Sequence, residues 1–358
     1  MRLLFVITEL DEGGAEQVFE RVVGAAAKKH EVGVVCLFHK DGSVGQRIQK
    51  NGMPVEELGI TGLSTLYRAR RLSRIMVSFQ PDLIHSWLFH ANVITRVIAP
   101  RKIPVISSLR VAEPRRSHLW LERLTRKRCS RFLCVSQAVA ELAMSRIGVS
   151  INKCLVIENG VDSEQFLGAR RHRKLHKKVK GLTVARIAHQ KGIDILLHGL
   201  ALLPVTLDWE WHFIGDITEI NYARELKHFT VNAGIEKRVV WHGGVDPAGL
   251  LQFYHDADMF ALPSRWEGQA NVLLESASAG LPAITTEHAG FAKDCPFVIV
   301  SPHTPSQWAH TIAELCASEK KYQIIADRAV TWAESKSWTP ILAKYLQLYT
   351  QFDKYGCK

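Results

Sequence analysis

Residues 262–282 read LPSRWEGQANVLLESASAGLP, the most specific pattern in the chain. The first residue ends an apolar run typical of a buried strand, and an amphipathic helix is expected to follow and to end at Gly280. Glu267 lies in the loop between strand and helix, and Glu275 lies one to two turns into the helix. Both carboxylates can then point into one cleft and accept hydrogen bonds from hydroxyl groups. The alternative for Glu275 is a solvated helix face.

Short apolar runs alternate with amphipathic stretches on both sides of this segment. Such runs are typical of parallel strands buried by helices on both faces. The pattern predicts an α/β chain with two doubly wound halves that meet near residues 165–180. The expected strands are 3–8, 31–38, 83–86, 105–108 and 132–135 in the first half, and 181–185, 210–214, 239–241, 259–262, 283–286 and 297–300 in the second.

The composition excludes several protein classes. Of 358 residues, 47% are apolar and 23% are charged, which excludes a disordered chain, a collagen and a coiled coil. The longest uncharged apolar stretch, 195–207, is broken by Pro204 and is shorter than the roughly 18 residues of a membrane-spanning helix. The first twelve residues do not read as a secretory signal, and the seven cysteines form no CxxC pair. A cytoplasmic protein is expected.

The net charge of +11 is concentrated in two segments. Residues 110–131 carry eight basic residues against two acidic ones, and residues 170–180 carry seven basic residues and no acid. The second segment is interpreted as a solvated linker or edge. Both segments either make the surface soluble or attract an anionic membrane. Leu119, Trp120 and Leu124 lie among the arginines of the first segment, which fits either membrane docking or an ordinary surface helix.

Two further segments have the composition of an anion-binding turn. The loop after the first strand contains Gly13-Gly14-Ala15-Glu16. It is either a plain tight turn or a site where free backbone amides and a helix dipole favour an anion. Arg186 and Lys191 lie across a strand-to-helix turn, where a planar fork and a mobile point charge can grip a diphosphate from two sides. No GxGxxG follows the first strand, and no GxxxxGK[ST] occurs in the chain, so dinucleotide-oxidoreductase and P-loop functions lose support.

The chain contains, in this order, Gly13-Gly14-Ala15-Glu16, Asn159-Gly160-Val161-Asp162, Arg186 with Lys191, Ile214-Gly215-Asp216, and Glu267 with Glu275. Taken together, these motifs resemble glycosyltransferase family 4, the retaining transferases that use nucleotide sugars. The resemblance runs from Gly13 to about Pro282. It implies the GT-B fold, in which two Rossmann-like doubly wound domains face a central cleft. The expected domains are 1–168 for the acceptor, 169–330 for the nucleotide-sugar donor, and a helical segment 331–358 that crosses back, with a helix over 332–349.

The resemblance implies roles for single residues. Arg186 and Lys191 would hold the donor diphosphate, Glu275 the ribose hydroxyls and Glu267 the hydroxyls of the donor sugar, and backbone at Gly243 would meet the nucleobase. The implied catalytic residues are His90, which is favoured over His85, Arg186, Lys191 and Glu267. The implied donor-binding residues are Gly14, Arg186, Lys191, Gly243, Glu267, Gly268, Asn271, Val272 and Glu275. The implied acceptor-binding residues are Gly13, Gly14, Glu16 and His90.

The chain departs from the family pattern at three places. Ala185 stands where a glycine commonly precedes the arginine, and Gln269-Ala270 replaces an aromatic-proline pair. Residues 288–294 place Lys293 where a carboxylate is usual, which leaves the donor sugar open. Asp256-Ala257-Asp258 superficially matches a metal-binding DxD of another fold, but it precedes a strand, so no metal site is expected.

The expected function is retaining transfer of a hexosyl group from a nucleotide sugar, in the first instance a UDP-sugar. The expected acceptor is lipid-linked or a glycan of the bacterial cell surface, as in lipopolysaccharide or capsule synthesis, and no cofactor or metal is expected. The protein would be cytoplasmic, with peripheral attachment to the inner face of the membrane left open. The alternatives are a sugar-nucleotide epimerase of the same layout and a non-catalytic basic protein that binds nucleic acid or an anionic surface.

Overall fold

The computed structural model describes residues 1–59, 65–170, 175–291, 295–300 and 304–353. The chain divides into two compact units. The first unit comprises Met1–Asn159 with Thr339–Lys358, and the second comprises Gly160–Trp338. The boundary between Asn159 and Gly160 therefore comes before the predicted boundary at 168/169. Residues 331–338 belong to the second unit.

The first unit is built on a parallel sheet with the strand order β3-β2-β1-β4-β5-β6-β7. The order reverses at β1, which pairs with both β2 and β4, so that Leu3 lies opposite Val32 on one side and Leu83 on the other. The strands are β1 (Arg2–Ile7), β2 (Glu31–Cys36), β3 (Val55–Glu57), β4 (Leu83–Trp87), β5 (Val105–Leu109), β6 (Arg131–Cys134) and β7 (Cys154–Val156). The helices are α1 (Gly14–Ala27), α2 (Ser43–Lys50), α3 (Thr65–Phe79), α4 (Phe89–Ile98), α5 (Arg116–Thr125) and α6 (Gln137–Leu142).

The second unit repeats this arrangement with the strand order β10-β9-β8-β11-β12-β13, again all parallel. The strands are β8 (Val179–Val184), β9 (Trp209–Ile214), β10 (Val239–Trp241), β11 (Met259–Leu262), β12 (Ala283–Thr285) and β13 (Val298–Ile299). The helices are α7 (Ile193–Leu200), α8 (Ile220–Asn232), α9 (Pro247–Asp256), α10 (Asn271–Ser278), α11 (Pro305–Ala317) and α12 (Glu319–Glu334). This is the Rossmann-type strand order, in which ligands bind where the order reverses, here between β8 and β11.

Continuous apolar runs form the central strands because both faces of each sheet are covered. All four residues of β11 are fully buried, and five of the six residues of β1 are buried. The predicted strands therefore match observed ones closely. The prediction omits β3 and β7, which are three-residue strands at the two edges of the first sheet and are only partly buried. It also places residues 170–180 in a linker or edge, whereas Val179 and Lys180 begin the central strand Val179–Val184.

The last helix, α13 (Trp338–Thr350), packs into the first unit. Tyr349 donates or accepts a hydrogen bond of 2.8 Å with Nδ1 of the buried His85, and Tyr345 stacks on Trp87 with ring centroids 6.1 Å apart. The predicted single helix over 332–349 is wrong, because α12 ends at Glu334 and residues 335–337 form a turn. There the carbonyl of Lys336 accepts a hydrogen bond of 2.9 Å from the amide of Val161, and Ser337 pairs with the same residue.

A buried ion pair attaches α5 to α4. The Nη2 atom of Arg96 on α4 contacts Oε2 of Glu122 on α5, and both side chains are almost wholly removed from solvent. The opposite face of α5 exposes Trp120 and Leu124, which are 59% and 58% accessible. Among the described residues, no helix has both the length and the apolar character needed to cross a membrane.

Candidate active site

Lys191 and Glu267 meet at the point where the strand order of the second sheet reverses. Lys191 ends a short 3-10 turn after β8, and Glu267 lies in the loop after the neighbouring strand β11. The Nζ atom of Lys191 lies 2.5 Å from Oε1 of Glu267, and the two side chains are 15% and 10% accessible. Ser264 donates a hydrogen bond of 2.8 Å to the same oxygen. The cation and the carboxylate that were predicted as separate donor contacts therefore form one pair.

Close backbone packing brings these two loops together. Gly192, with φ of +64°, follows Lys191, and a Cβ atom there would lie 2.1 Å from the carbonyl oxygen of Pro263. Any side chain at this position would force the loops apart. Glycine is thus required because the Lys191 loop touches the backbone of the Glu267 loop.

Arg186 follows the same strand, β8, and its side chain is exposed. Within the described ranges, its guanidinium makes no ion pair or hydrogen bond with the protein. The next strand along the sheet is followed by Gly215, where an added Cβ atom would lie 2.1 Å from the carbonyl oxygen of Ala185. The backbone around Arg186 is therefore tightly packed, while its cationic end faces outward.

Glu275 is the fifth residue of α10 and is half-buried. The hydroxyl of Tyr254 on α9 donates a hydrogen bond of 2.8 Å to Oε2 of Glu275. Burial raises the pKa of Glu275, although the Tyr254 hydrogen bond opposes this rise. Burial, together with the Glu275 charge, also raises the pKa of Tyr254 well above its usual value. Sequence reasoning missed Tyr254 because it lies on a different helix, far from Glu275 along the chain.

The remaining predicted donor contacts lie at neighbouring strand and helix ends. Asn271 and Val272 are the first two residues of α10, and Gly268 lies in the loop that precedes it. Gly243 follows β10, is exposed, and accepts a hydrogen bond of 2.8 Å from the amide of Gly215. The fold thus places these residues after the carboxyl ends of two strands of the second sheet, β10 and β11. Residues 292–294, including the departure at Lys293, lie outside the described residues.

In the first unit, Gly13 and Gly14 begin α1 immediately after the β1 loop. The buried side chain of Glu16 folds back over this turn, so that a Cβ atom on Gly13 would lie 2.2 Å from its Oε2 atom. A carboxylate at the third helical position is favoured there by the amides and the dipole of its own helix start. Glu16 therefore has a local structural role, and its acceptor contact stays a prediction.

His90 is the second residue of α4, at the carboxyl end of β4. The preceding Leu88 has φ of +70°, a conformation that is rare outside glycine and is concentrated at functional sites. The ring of His90 lies 5.8 Å from that of His118 between centroids, and desolvation followed by the His118 charge lowers the pKa of His90. His90 is exposed, and its catalytic and acceptor contacts stay predictions.

His85, the histidine that the sequence disfavoured, is buried inside the first unit. Its Nε2 atom lies 2.8 Å from Oγ of Ser108, and its Nδ1 atom is bonded to Tyr349. Burial and the nearby Arg110 charge lower the pKa of His85 well below its usual value. The imidazole is therefore neutral and structural.

Asp258, the second carboxylate of the Asp256-Ala257-Asp258 sequence, makes hydrogen bonds within the fold. The carboxylate of Asp258 accepts hydrogen bonds from the backbone amide and Nδ1 of His176 and from the amide of Lys180, so it holds the start of β8. Among the described residues, the potential ligand atoms of Glu9, Asp11 and His39 lie within 4.8 Å of one another at the surface of the first unit. The absence of a metal requirement stays a prediction.

Comparisons with known proteins bear on the family of this chain. The model of Glycosyltransferase Family 4 matches residues 12–165, and that of Glycosyl transferases group 1 matches residues 178–318. A D-inositol 3-phosphate glycosyltransferase of Paenarthrobacter aurescens is 24% identical over 370 residues, which cover 96% of this chain and 90% of the relative. An Escherichia coli UDP-Gal:alpha-D-GlcNAc-diphosphoundecaprenol alpha-1,3-galactosyltransferase is 25% identical over 61% of either chain.

A solved structure extends the comparison to the whole fold. Anabaena HepE in complex with UDP-glucose superposes with a TM-score of 0.84 at 20% identity, over 98% of this chain and 100% of that protein. Two parallel Rossmann-like units, two adjacent family models and these relatives lead to one conclusion. The chain is a glycosyltransferase of the GT-B fold and belongs to glycosyltransferase family 4, with a group 1 domain as its second half.

Proposed function

We propose that this glycosyltransferase transfers a sugar from a UDP-sugar, with retention of anomeric configuration, to a lipid-linked or glycan acceptor of the bacterial cell surface. The observation that carries the proposal is the Lys191–Glu267 pair at the reversal of the second sheet. The pair offers a cation to a diphosphate and a carboxylate to a sugar, side by side. Glu275 supplies a second carboxylate, held by Tyr254.

The proposed chemistry depends on charge that develops as the anomeric bond breaks. The leaving diphosphate gains negative charge, which Lys191 and the exposed Arg186 stabilise electrostatically. In the ground state Glu267 balances the Lys191 charge. When the donor binds, Glu267 accepts hydrogen bonds from sugar hydroxyls. The ammonium of Lys191 then also contacts the phosphate oxygens. Attack by the acceptor hydroxyl from the face of the leaving group then gives retention.

Two relatives support the choice of substrates. HepE has been solved with UDP-glucose, which supports a UDP-sugar donor. The Escherichia coli relative is named for a galactosyl transfer to a diphosphoundecaprenol-linked sugar, which supports a lipid-linked acceptor. In the chain itself, the carboxylate of Glu275 is suited to the ribose hydroxyls of a nucleotide. The comparisons give no support to the epimerase or nucleic-acid alternatives.

The donor assignment predicts a nucleotide-dependent gain in thermal stability. At about 100 times its dissociation constant, UDP should stabilise the wild-type protein by roughly 2.7 kcal/mol, with a smaller gain from GDP or ADP at equal concentration. Glu275→Gln should reduce the UDP gain, since an amide also donates hydrogen bonds where a carboxylate only accepts. Thermal-shift scans of both proteins measure this effect.

The control for that experiment is Glu314→Gln, the same substitution at an exposed carboxylate of the second unit that pairs with Lys321. It should leave the UDP gain unchanged. A wild-type protein that gains no stability from any nucleoside diphosphate would remove the donor assignment.

The acceptor assignment includes docking on an anionic membrane through α5. Its exposed apolar pair, Trp120 and Leu124, lies one helical turn apart. The exposed residues Arg116, Arg123 and Lys127 occupy the same stripe at helical spacing. Amphipathic basic helices with Trp and Leu on one side bind anionic bilayers in this way.

Three arginines of the first basic segment make hydrogen bonds within the fold instead. Arg126 donates to the carbonyls of Arg123 and Gly148, Arg128 donates to Ala99, and Arg131 donates to Asn152. These arginines stabilise the fold, and the membrane role is therefore proposed only for the exposed stripe. Residues 171–174 of the second basic segment lie outside the described residues.

Replacing both Trp120 and Leu124 by serine should lower partitioning onto phosphatidylglycerol vesicles at least about tenfold, because burying such a side chain contributes about 1.5–3 kcal/mol. Vesicle co-sedimentation at low and high salt measures the effect. The matched control replaces Leu202 and Val205, two exposed apolar residues of the second unit, by serine. Equal binding by both double variants, or no binding by the wild type, would exclude α5 as the docking surface.

A further inference from the structure

A second ion pair, between Arg265 and Asp194, joins the two segments that carry Lys191 and Glu267. Arg265 precedes Glu267 by two positions, and Asp194 lies in the first turn of α7, after Lys191. The two side chains pair fork to fork, with Nη1 2.9 Å from Oδ1 and Nη2 2.7 Å from Oδ2. Two parallel charge-assisted hydrogen bonds define the relative orientation of both groups.

Arg265 also contacts the backbone of the Lys191 loop. Its Nη1 atom donates a hydrogen bond of 2.8 Å to the carbonyl of His189, and its amide donates one of 2.8 Å to the carbonyl of Gln190. In return, the side-chain amide of Gln190 donates to the carbonyl of Trp266 at 2.9 Å. The two loops are thus linked by hydrogen bonds in both directions, immediately beside the Lys191–Glu267 pair.

Asp194 is in turn held by Tyr222 of α8. The Tyr222 hydroxyl donates to Oδ1 of Asp194 at 2.6 Å and accepts from the Asp194 amide at 3.1 Å. Burial would raise the pKa of Asp194, but hydrogen bonds from Arg265 and Tyr222 hold it below the usual value. The carboxylate therefore stays ionised and paired at neutral pH. Tyr222 is buried, so the pair rests on the core of the second unit.

We propose that the Asp194–Arg265 pair, supported by Tyr222, is a positioning element that sets the distance between Lys191 and Glu267 for catalysis. The inference rests on the proposed function of these two residues as donor contacts. Arg265 and Asp194 act through the loops and are not themselves catalytic residues. Only an arginine can bind both Asp194 oxygens and the His189 carbonyl with one planar group, so lysine is not an equivalent replacement.

The test combines hydrogen–deuterium exchange with donor kinetics for Arg265→Ala, Arg265→Lys, Asp194→Asn and the Asp194→Asn/Arg265→Ala double variant. Exchange should rise in peptides covering 186–195 and 262–272 and stay unchanged elsewhere in the second unit. Misplacement of reacting groups can reduce the rate by about 10²-fold, so kcat with a UDP-sugar should fall by about that factor in Arg265→Ala, with a smaller change in KM. Arg265→Lys should recover less than half of this loss on a logarithmic scale.

The double variant distinguishes a pair from two independent residues. Arg265 and Asp194 act together as one ion pair, and Arg265→Ala already breaks that pair. The double variant should therefore lose no more kcat than Arg265→Ala alone. Lys321→Ala, which breaks the exposed Lys321–Glu314 pair of the same unit, is the matched control and should change neither readout.

Three outcomes would overturn the inference. They are unchanged loop exchange and kcat in Arg265→Ala, additive losses in the double variant, and faster exchange throughout the second unit, which would indicate only general destabilisation. A wild-type protein that neither binds UDP nor releases it from any UDP-sugar would overturn the proposed function, and with it the inference. An active wild type combined with an unaffected Arg265→Ala variant would overturn the inference alone.

Discussion

Replacing Lys191 by methionine is expected to lower kcat/KM for the donor about 10²–10³-fold, the usual loss when one group that stabilises transition-state charge is removed. Methionine keeps most of the length and apolar stem of lysine but has no charge. The ammonium is held 2.5 Å from Glu267 and is 15% accessible, so its position is defined before the donor binds. Preorganisation of this kind is what makes such a charge effective.

Comparing the affinities for UDP and for uridine shows whether Lys191 contacts the diphosphate or affects nucleoside binding. Calorimetry should show weaker UDP binding by the Lys191→Met protein and unchanged uridine binding, because only UDP carries the diphosphate. Lys321→Met, which removes a lysine from an exposed ion pair in the same unit, serves as the control. An equal loss of uridine and UDP affinity would mean that Lys191 does not contact the diphosphate.

Replacing Glu122 by glutamine is expected to reduce the free energy of unfolding of the first unit by about 3–5 kcal/mol, the usual result of removing one partner of a buried ion pair. Arg96 is wholly buried and would keep its charge without a carboxylate partner. Its Nε atom donates a hydrogen bond of 3.0 Å to the carbonyl of Asn92, and its guanidinium lies 5.4 Å from the centroid of the Phe132 ring. Both neighbours attract the guanidinium, but a carbonyl dipole and the face of an aromatic ring are weaker partners than a carboxylate and do not replace it.

Urea unfolding monitored by tryptophan fluorescence measures this loss. Glu314→Gln, which breaks an exposed pair, should leave the free energy of unfolding almost unchanged, because solvent screens such pairs. The double variant Arg96→Met/Glu122→Leu should recover most of the stability, because it removes both charges together. A loss below about 1 kcal/mol for Glu122→Gln would show that Arg96 finds another partner, and that α5 does not depend on this pair.

The central strands of both sheets follow from sequence because each is a continuous apolar run buried on two faces. The edge strands Val55–Glu57 and Cys154–Val156 could not be predicted from sequence. An edge strand is partly solvated, so its apolar pattern is weak. The break between α12 and α13 has a signal in the sequence that the prediction overlooked. Pro340 has no amide hydrogen for the carbonyl of Lys336 and fits only in the first turn of a new helix. That carbonyl instead accepts a hydrogen bond from the amide of Val161, which is distant in the chain.

In the candidate site, the sequence predicted residues, and the tertiary structure showed which of them contact one another. Sequence alone proposed Lys191, Glu267 and Glu275 as candidate site residues, because chemically distinctive residues follow predicted strands and the carboxyl ends of parallel strands meet at one edge of a sheet. Only the tertiary structure showed that Lys191 pairs with Glu267, that Tyr254 holds Glu275, and that Arg265 joins the two loops through Asp194. These contacts connect residues on different elements, and their partners are set by how the helices and loops pack, which local spacing does not encode.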